Sequence, residues 1–212
     1  MSQVRRLIEY YQTKKNDIKK KLHEFEDVLN RPDEEVFAEL CFCICTPQSK
    51  AVLCDKAIAA LKRERLLING EADQIRSFLK GVRFASNKAM CIVKARELFK
   101  RDGEIRIKER LASFDDIYKL RSWIAENVDG VGMKESSHFL RNIGLGKGLA
   151  ILDRHILKNL REFGVIGEVR NLTKKRYLSV ESKMRAFAEE INIPMDELDL
   201  LLWSKETGKI FK

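Results

Sequence analysis

Apolar residues recur every three or four positions along almost the whole of this chain, and no stretch alternates with a period of two. That pattern admits helices that bury one face against each other and supplies no strands from which to build a sheet. The first faces are Val4, Leu7, Ile8, Tyr11 and then Ile18, Leu22, Phe25, Leu29, until Arg31-Pro32 breaks the run. Asp33 stands where it can cap a helix carrying Val36, Phe37, Leu40 and Ile44, which stops at Thr46-Pro47. Comparable faces continue through Ile92, Ala95, Phe99, through Ile117, Leu120, Ile124, and into the series Tyr177, Val180, Met184, Phe187. The expected fold is all-α, with about ten helices. At 212 residues the chain is long enough for one large unit or two interlocked lobes with a buried core.

Charge narrows the function classes. Lys and Arg number 41 against 32 Asp and Glu, a net charge of +9, which favours a polyanionic partner such as nucleic acid. No apolar run approaches the roughly 20 residues of a membrane span, and the chain leads from Met1 straight into charged periodic sequence, so neither a membrane nor export is expected. The five cysteines, Cys41, Cys43, Cys45, Cys54 and Cys91, are an odd number in the first half of the chain. The Cys-x-Cys-x-Cys run lacks the separated second ligand pair of a structural zinc site, so buried reduced thiols are expected, with no metal and no cofactor.

Two segments depart from the helical texture. Val128-Asp129-Gly130-Val131-Gly132 is too short for anything but a tight turn between two helices, with glycines where the backbone must bend or approach something closely. A helix N-terminus that follows such a turn presents N–H groups to an anion and can hold a DNA phosphate without reading sequence. Lys134 follows Gly132 by two residues, in the first turn of the second helix. The other segment, Gly144-Leu145-Gly146-Lys147-Gly148, leads into Leu149-Ala150-Ile151-Leu152-Asp153-Arg154-His155, where Asp153 can cap a helix nineteen residues after Lys134.

Residues 128–139 followed by residues 150–155 resemble the helix-hairpin-helix superfamily of base-excision DNA glycosylases. Leu40-Cys41-Phe42-Cys43-Ile44-Cys45-Thr46-Pro47-Gln48-Ser49-Lys50-Ala51 is similar to that family's early helix and loop, and Gly81-Val82-Arg83-Phe84-Ala85-Ser86-Asn87-Lys88-Ala89-Met90 to its middle segment. The resemblance implies two helical lobes around a cleft, residues of about 1–50 and 145–212 forming one lobe and about 51–144 the other. It implies Lys134 as nucleophile and Asp153 as its catalytic partner, with Gly130, Val131 and Gly132 on the DNA backbone. Lys88 is a further candidate for phosphate, and Arg83 and Phe84 for filling the gap that a flipped nucleotide leaves.

Departures from the family pattern select a branch. No cysteine follows Cys91, which removes the C-terminal four-cysteine iron–sulfur loop of the endonuclease III and adenine-glycosylase branches. A helical start leaves no room for the N-terminal sheet domain of the eukaryotic 8-oxoguanine enzymes. The compact chain, with its tail Thr207-Gly208-Lys209-Ile210-Phe211-Lys212, is most similar to the short prokaryotic 8-oxoguanine DNA glycosylase/AP lyases. That likeness implies a monomer acting on double-stranded DNA that contains oxidised guanine, in a prokaryotic cytoplasm and associated with the nucleoid. Trp203 and Met90 are expected to sandwich the flipped base, and the α-carboxylate of Lys212 to read its paired N–H donors. A glycosylase for oxidised pyrimidines and a non-catalytic DNA-binding module stay open as alternatives.

Overall fold

A computed structural model describes residues 3–169 and 171–212. Among them the chain forms α1 (Gln3–Glu26), α2 (Asp33–Cys45), α3 (Ala51–Arg63), α4 (Leu66–Asn69), α5 (Ala72–Phe78) and α6 (Ala85–Phe99). It continues through α7 (Ile107–Ala112), α8 (Ile117–Asn127), α9 (Met133–Asn142), α10 (Arg154–Glu162), α11 (Lys174–Glu190) and α12 (Met195–Thr207). A single antiparallel hairpin, β1 (Lys100–Arg101) with β2 (Glu104–Ile105), interrupts the helices. Its turn is Asp102-Gly103, both with positive φ, which is the geometry that matches the twist of paired strands.

Two apolar cores divide the molecule. In one, α2 is sheathed by α3, α6 and α9, and its members run from Val28 to Leu149 in sequence. In the other, Leu7, Tyr11, Ile18 and Phe25 of α1 meet Leu160 of α10, Tyr177 and Met184 of α11, and Leu198 and Leu201 of α12. The division near residue 50 expected from the sequence is therefore corrected: Val28 and the whole of α2 belong with the middle of the chain. The reason lies in the composition of α2, where every residue from 36 to 45 except Glu39 is buried. A helix without a polar face sits inside a lobe rather than on its edge.

Asp33 also has a different task from the cap assigned to it. Pro32 precedes the helix, Asp33 is its first residue, and its carboxylate accepts the Lys108 N–H at 2.8 Å at the start of α7. Cys41, Cys43, Cys45 and Cys54 are buried in the first core, and burial pushes the Cys45 thiol up to about 12. These side chains serve as small core residues. No described helix is long and apolar enough to cross a membrane.

Candidate active site

Between the two cores lies a cleft of about 790 Å³ whose lining includes Lys134, Glu135, His138, Arg141, Asp153, Asp199, Trp203 and Lys212. Lys134, Glu135, His138 and Arg141 come from α9, and positions 134, 138 and 141 share one helix face. The hairpin sets where that helix begins. Gly130 turns at φ +78°, and a side chain added there would meet Cys91 Sγ of α6 at 3.0 Å, so the turn sits directly on α6.

Lys134 is half-buried, its side chain 24% exposed, and its Nζ pairs with Glu135 Oε1 at 2.9 Å. The other oxygen of Glu135 accepts the Gly132 N–H at 3.2 Å, so one carboxylate holds both the amine and the first N–H of the helix. The Val131 N–H is taken up by Val128 O at 3.2 Å, and the Val131 side chain is buried. A phosphate thus reaches the Gly132 N–H only by displacing Glu135. Glu135 also sets a negative charge directly against the Lys134 amine.

Asp153 caps α10, one of its oxygens accepting the His155 and Ile156 N–H groups at 2.8 Å each. The segment that delivers it is clamped from below. The Ala150 N–H donates to Glu181 Oε1 at 2.8 Å, and the Tyr177 hydroxyl donates to Ala150 O at 2.6 Å. Glu181 in turn receives both ends of the Arg121 guanidinium, so α8, α11 and the linker are joined in one buried network. Beside it, Arg141 Nη1 pairs with Asp199 at 3.0 Å. Burial pushes the Asp199 carboxyl up to about 7, against the pull of Arg141.

Other residues singled out by the sequence fall in different places. Trp203 and Lys212 line the cleft with Lys134 and Asp153, and the Lys212 ammonium is anchored on Glu39 and Asp55, each at 2.8 Å. Arg83 lines it as well, with its guanidinium 5.4 Å from the ring of Phe84. Phe84 is 54% exposed and left-handed at φ +57°, an unfavourable pairing of side chain and backbone that suits a group held out for contact with something else. Met90 does not join Trp203. It is 54% exposed on α6 and absent from the cleft lining, because Ala89, Ile92 and Phe99 take the buried face of that helix.

Lys88 is not a phosphate ligand here either. It is buried, and its Nζ donates to Cys45 O at 2.6 Å, Pro47 O at 2.7 Å and Ser49 Oγ at 3.0 Å. Those acceptors account for all three ammonium donors. Lys88 braces the loop after α2, and burial lowers its pKa. Ser49 Oγ also accepts the Arg83 N–H at 3.0 Å, tying that loop to the gap-filling candidates. Gln48, with φ +55°, lines the cleft beside it. No local pattern in the sequence marks Gln48 as a site residue. His138 and Arg141 could have been found from their four- and seven-residue spacing from Lys134.

Residues 18–193 match the family described as 8-oxoguanine DNA glycosylase. The chain belongs to that family. An 8-oxoguanine DNA glycosylase/AP lyase of Fusobacterium nucleatum is 46% identical over 204 residues, covering 95% of this chain and 94% of the relative. Its counterpart from Methanocaldococcus jannaschii is 38% identical over 206 residues, covering 93% of each chain. The crystal structure of the M. jannaschii 8-oxoguanine DNA glycosylase superposes with a TM-score of 0.88, covering 99% of this chain and 95% of that one at 34% identity. A second M. jannaschii structure, in complex with a 15-mer DNA containing 8-oxoguanine, gives 0.86 at 34% identity, covering 97% of this chain and 99% of that one. Family membership accounts for the all-α fold and for the helix-hairpin-helix that positions α9. Among the described residues no group of three or more His, Cys, Asp or Glu side chains is gathered as a metal-ligand set.

Proposed function

We propose that this chain flips 8-oxoguanine out of double-stranded DNA, releases the base, and then cleaves the strand, with Lys134 as nucleophile and Asp153 as its partner. The observation that carries this reading is that Lys134 and Asp153, nineteen residues apart on different helices, line one cleft. The names of the relatives, and the 8-oxoguanine in the DNA of the M. jannaschii complex, support the choice of substrate.

The chemistry follows from the groups. The unprotonated Lys134 amine bonds to the C1′ carbon as the glycosidic bond breaks, and the base departs with that electron pair and gains a proton. The sugar ring opens to a Schiff base, loss of a C2′ proton expels the 3′ phosphate, and the strand is cut. Asp153, fixed by two N–H groups, faces the positive charge that develops on the sugar. The Lys134–Glu135 contact must open before attack, and a phosphate arriving at the hairpin of Gly130, Val131 and Gly132 would take the Gly132 N–H from Glu135 and push that carboxylate away by like charge. Trp203 stacks on the extruded base, the Lys212 α-carboxylate accepts from its paired N–H donors, and Arg83 and Phe84 occupy the gap. The protein works as a monomer on the nucleoid of a prokaryotic cytoplasm.

The test is borohydride trapping on a duplex containing 8-oxoguanine. The wild-type protein should give a covalent adduct and Lys134→Gln none; an adduct that survives in Lys134→Gln rejects the assignment.

A further inference from the structure

Both ring nitrogens of His138 are buried without a hydrogen-bond partner, and no other described side chain is left with every polar atom in that state. The residue is only 8% exposed, yet it lines the cleft one helical turn after Lys134. The edge of its ring packs against Phe42, with centroids 5.6 Å apart and planes at 77°. Packing alone does not call for histidine in this position. A phenylalanine fills the same slot, makes the same edge contact and brings no polar atoms to satisfy. Folded proteins rarely leave a buried polar group bare, and one that borders a binding cleft points to a ligand that completes it.

Its surroundings fix which form of the ring is presented. Burial, reinforced by the charges of Arg141, Lys134 and Lys212, holds the pKa of His138 well below the usual histidine range. The imidazole is therefore neutral and offers one N–H and one lone pair. Two N–H donors on the Watson–Crick edge of a guanine-type base suit the Lys212 carboxylate. The edge that remains carries O6, an acceptor, beside N7–H, a donor that oxidation at C8 creates. A neutral imidazole can engage either, whereas an imidazolium can only donate.

We propose that His138 is a specificity-determining residue that hydrogen-bonds the O6/N7–H edge of the flipped base. This rests on the reading that the extruded base enters this cleft. The test compares wild type, His138→Phe and His138→Gln in single-turnover release of 8-oxoguanine, in strand cleavage at a ready-made abasic site, and in thermal melting.

His138→Phe should melt at or above the wild-type temperature and release the base about tenfold more slowly, the scale of one lost hydrogen bond. Its cleavage of the abasic site should stay within about twofold of wild type. His138→Gln, which restores a donor and an acceptor, should recover part of the base release. Base release by His138→Phe within about twofold of wild type would overturn the proposal. So would parallel loss of both activities with a lowered melting temperature, because the ring would then be supporting the fold. A wild-type protein that cuts abasic sites but releases no 8-oxoguanine would reject the substrate reading itself, and this inference with it.

Discussion

Replacing Glu181 with Ala strips Arg121 of its counter-ion in a place that water does not reach. The two side chains are 1% and 4% exposed, and they are joined through both guanidinium ends. Removing one partner of such a pair costs about 3–5 kcal/mol, because the remaining charge stays buried and uncompensated. The Ala150 N–H loses its acceptor in the same step. The two losses share one carboxylate and overlap, so about 4 kcal/mol is the working figure. For a chain of 212 residues each kcal/mol moves the melting midpoint by about 2–4 °C, which places the Glu181→Ala midpoint about 8–16 °C below wild type.

The double variant Arg121→Met/Glu181→Leu removes the bare charge, and buried pairs exchanged for apolar groups are commonly neutral or better. It should regain most of the lost melting temperature. The Ala150 N–H stays unpaired in it, so the segment carrying Asp153 remains loosened and abasic-site cleavage stays below wild type. Circular-dichroism melting and single-turnover cleavage read the two effects separately. A Glu181→Ala midpoint within about 3 °C of wild type, or a double variant melting as low as the single one, would refute the reasoning.

Three further outcomes are expected. Asp153→Asn keeps a side chain that caps helices as well as Asp does, so melting should hardly change while base release falls by about 100-fold or more, measured in single turnover. Lys88→Met should lower the melting temperature but leave the salt dependence of DNA binding unchanged, whereas loss of a phosphate-binding lysine would reduce that slope by about 1. His138 is held neutral in the fold and gains its proton only on unfolding, so its contribution to stability is complete above about pH 6.5 and declines by about 1.4 kcal/mol per pH unit below it. Denaturant titrations of wild type and His138→Phe between pH 7 and pH 5 should diverge in that sense.

The residues legible in the sequence were those whose meaning is local. The hairpin glycines, Lys134 and Asp153 sit in short segments whose spacing fixes their place at the start of a helix, and helical faces repeat often enough to declare themselves. Asp102-Gly103 was just as local a signal, but the strands beside it are two residues long and have no room to alternate. Lys88 is illegible as a buried brace, because a lysine in the sequence looks the same whether its amine meets water or three oxygen acceptors about forty residues away.

A stronger clue lay in charges placed on apolar stripes. Glu181 stands four residues after Tyr177 and three before Met184, within the buried face of α11, and Asp199 stands among Leu198, Leu200, Leu201 and Leu202. His138 and Arg141 interrupt the apolar part of α9 in the same way. A charged or hydrogen-bonding group at such a position implies either a buried partner or a surface that opens to a ligand, because a buried ion or polar atom left bare is too costly to keep. Which of the two applies depends on what another helix brings opposite. Glu181 meets Arg121 and Asp199 meets Arg141, whereas the ring nitrogens of His138 find no hydrogen-bond partner among the described residues and the ring lines the cleft.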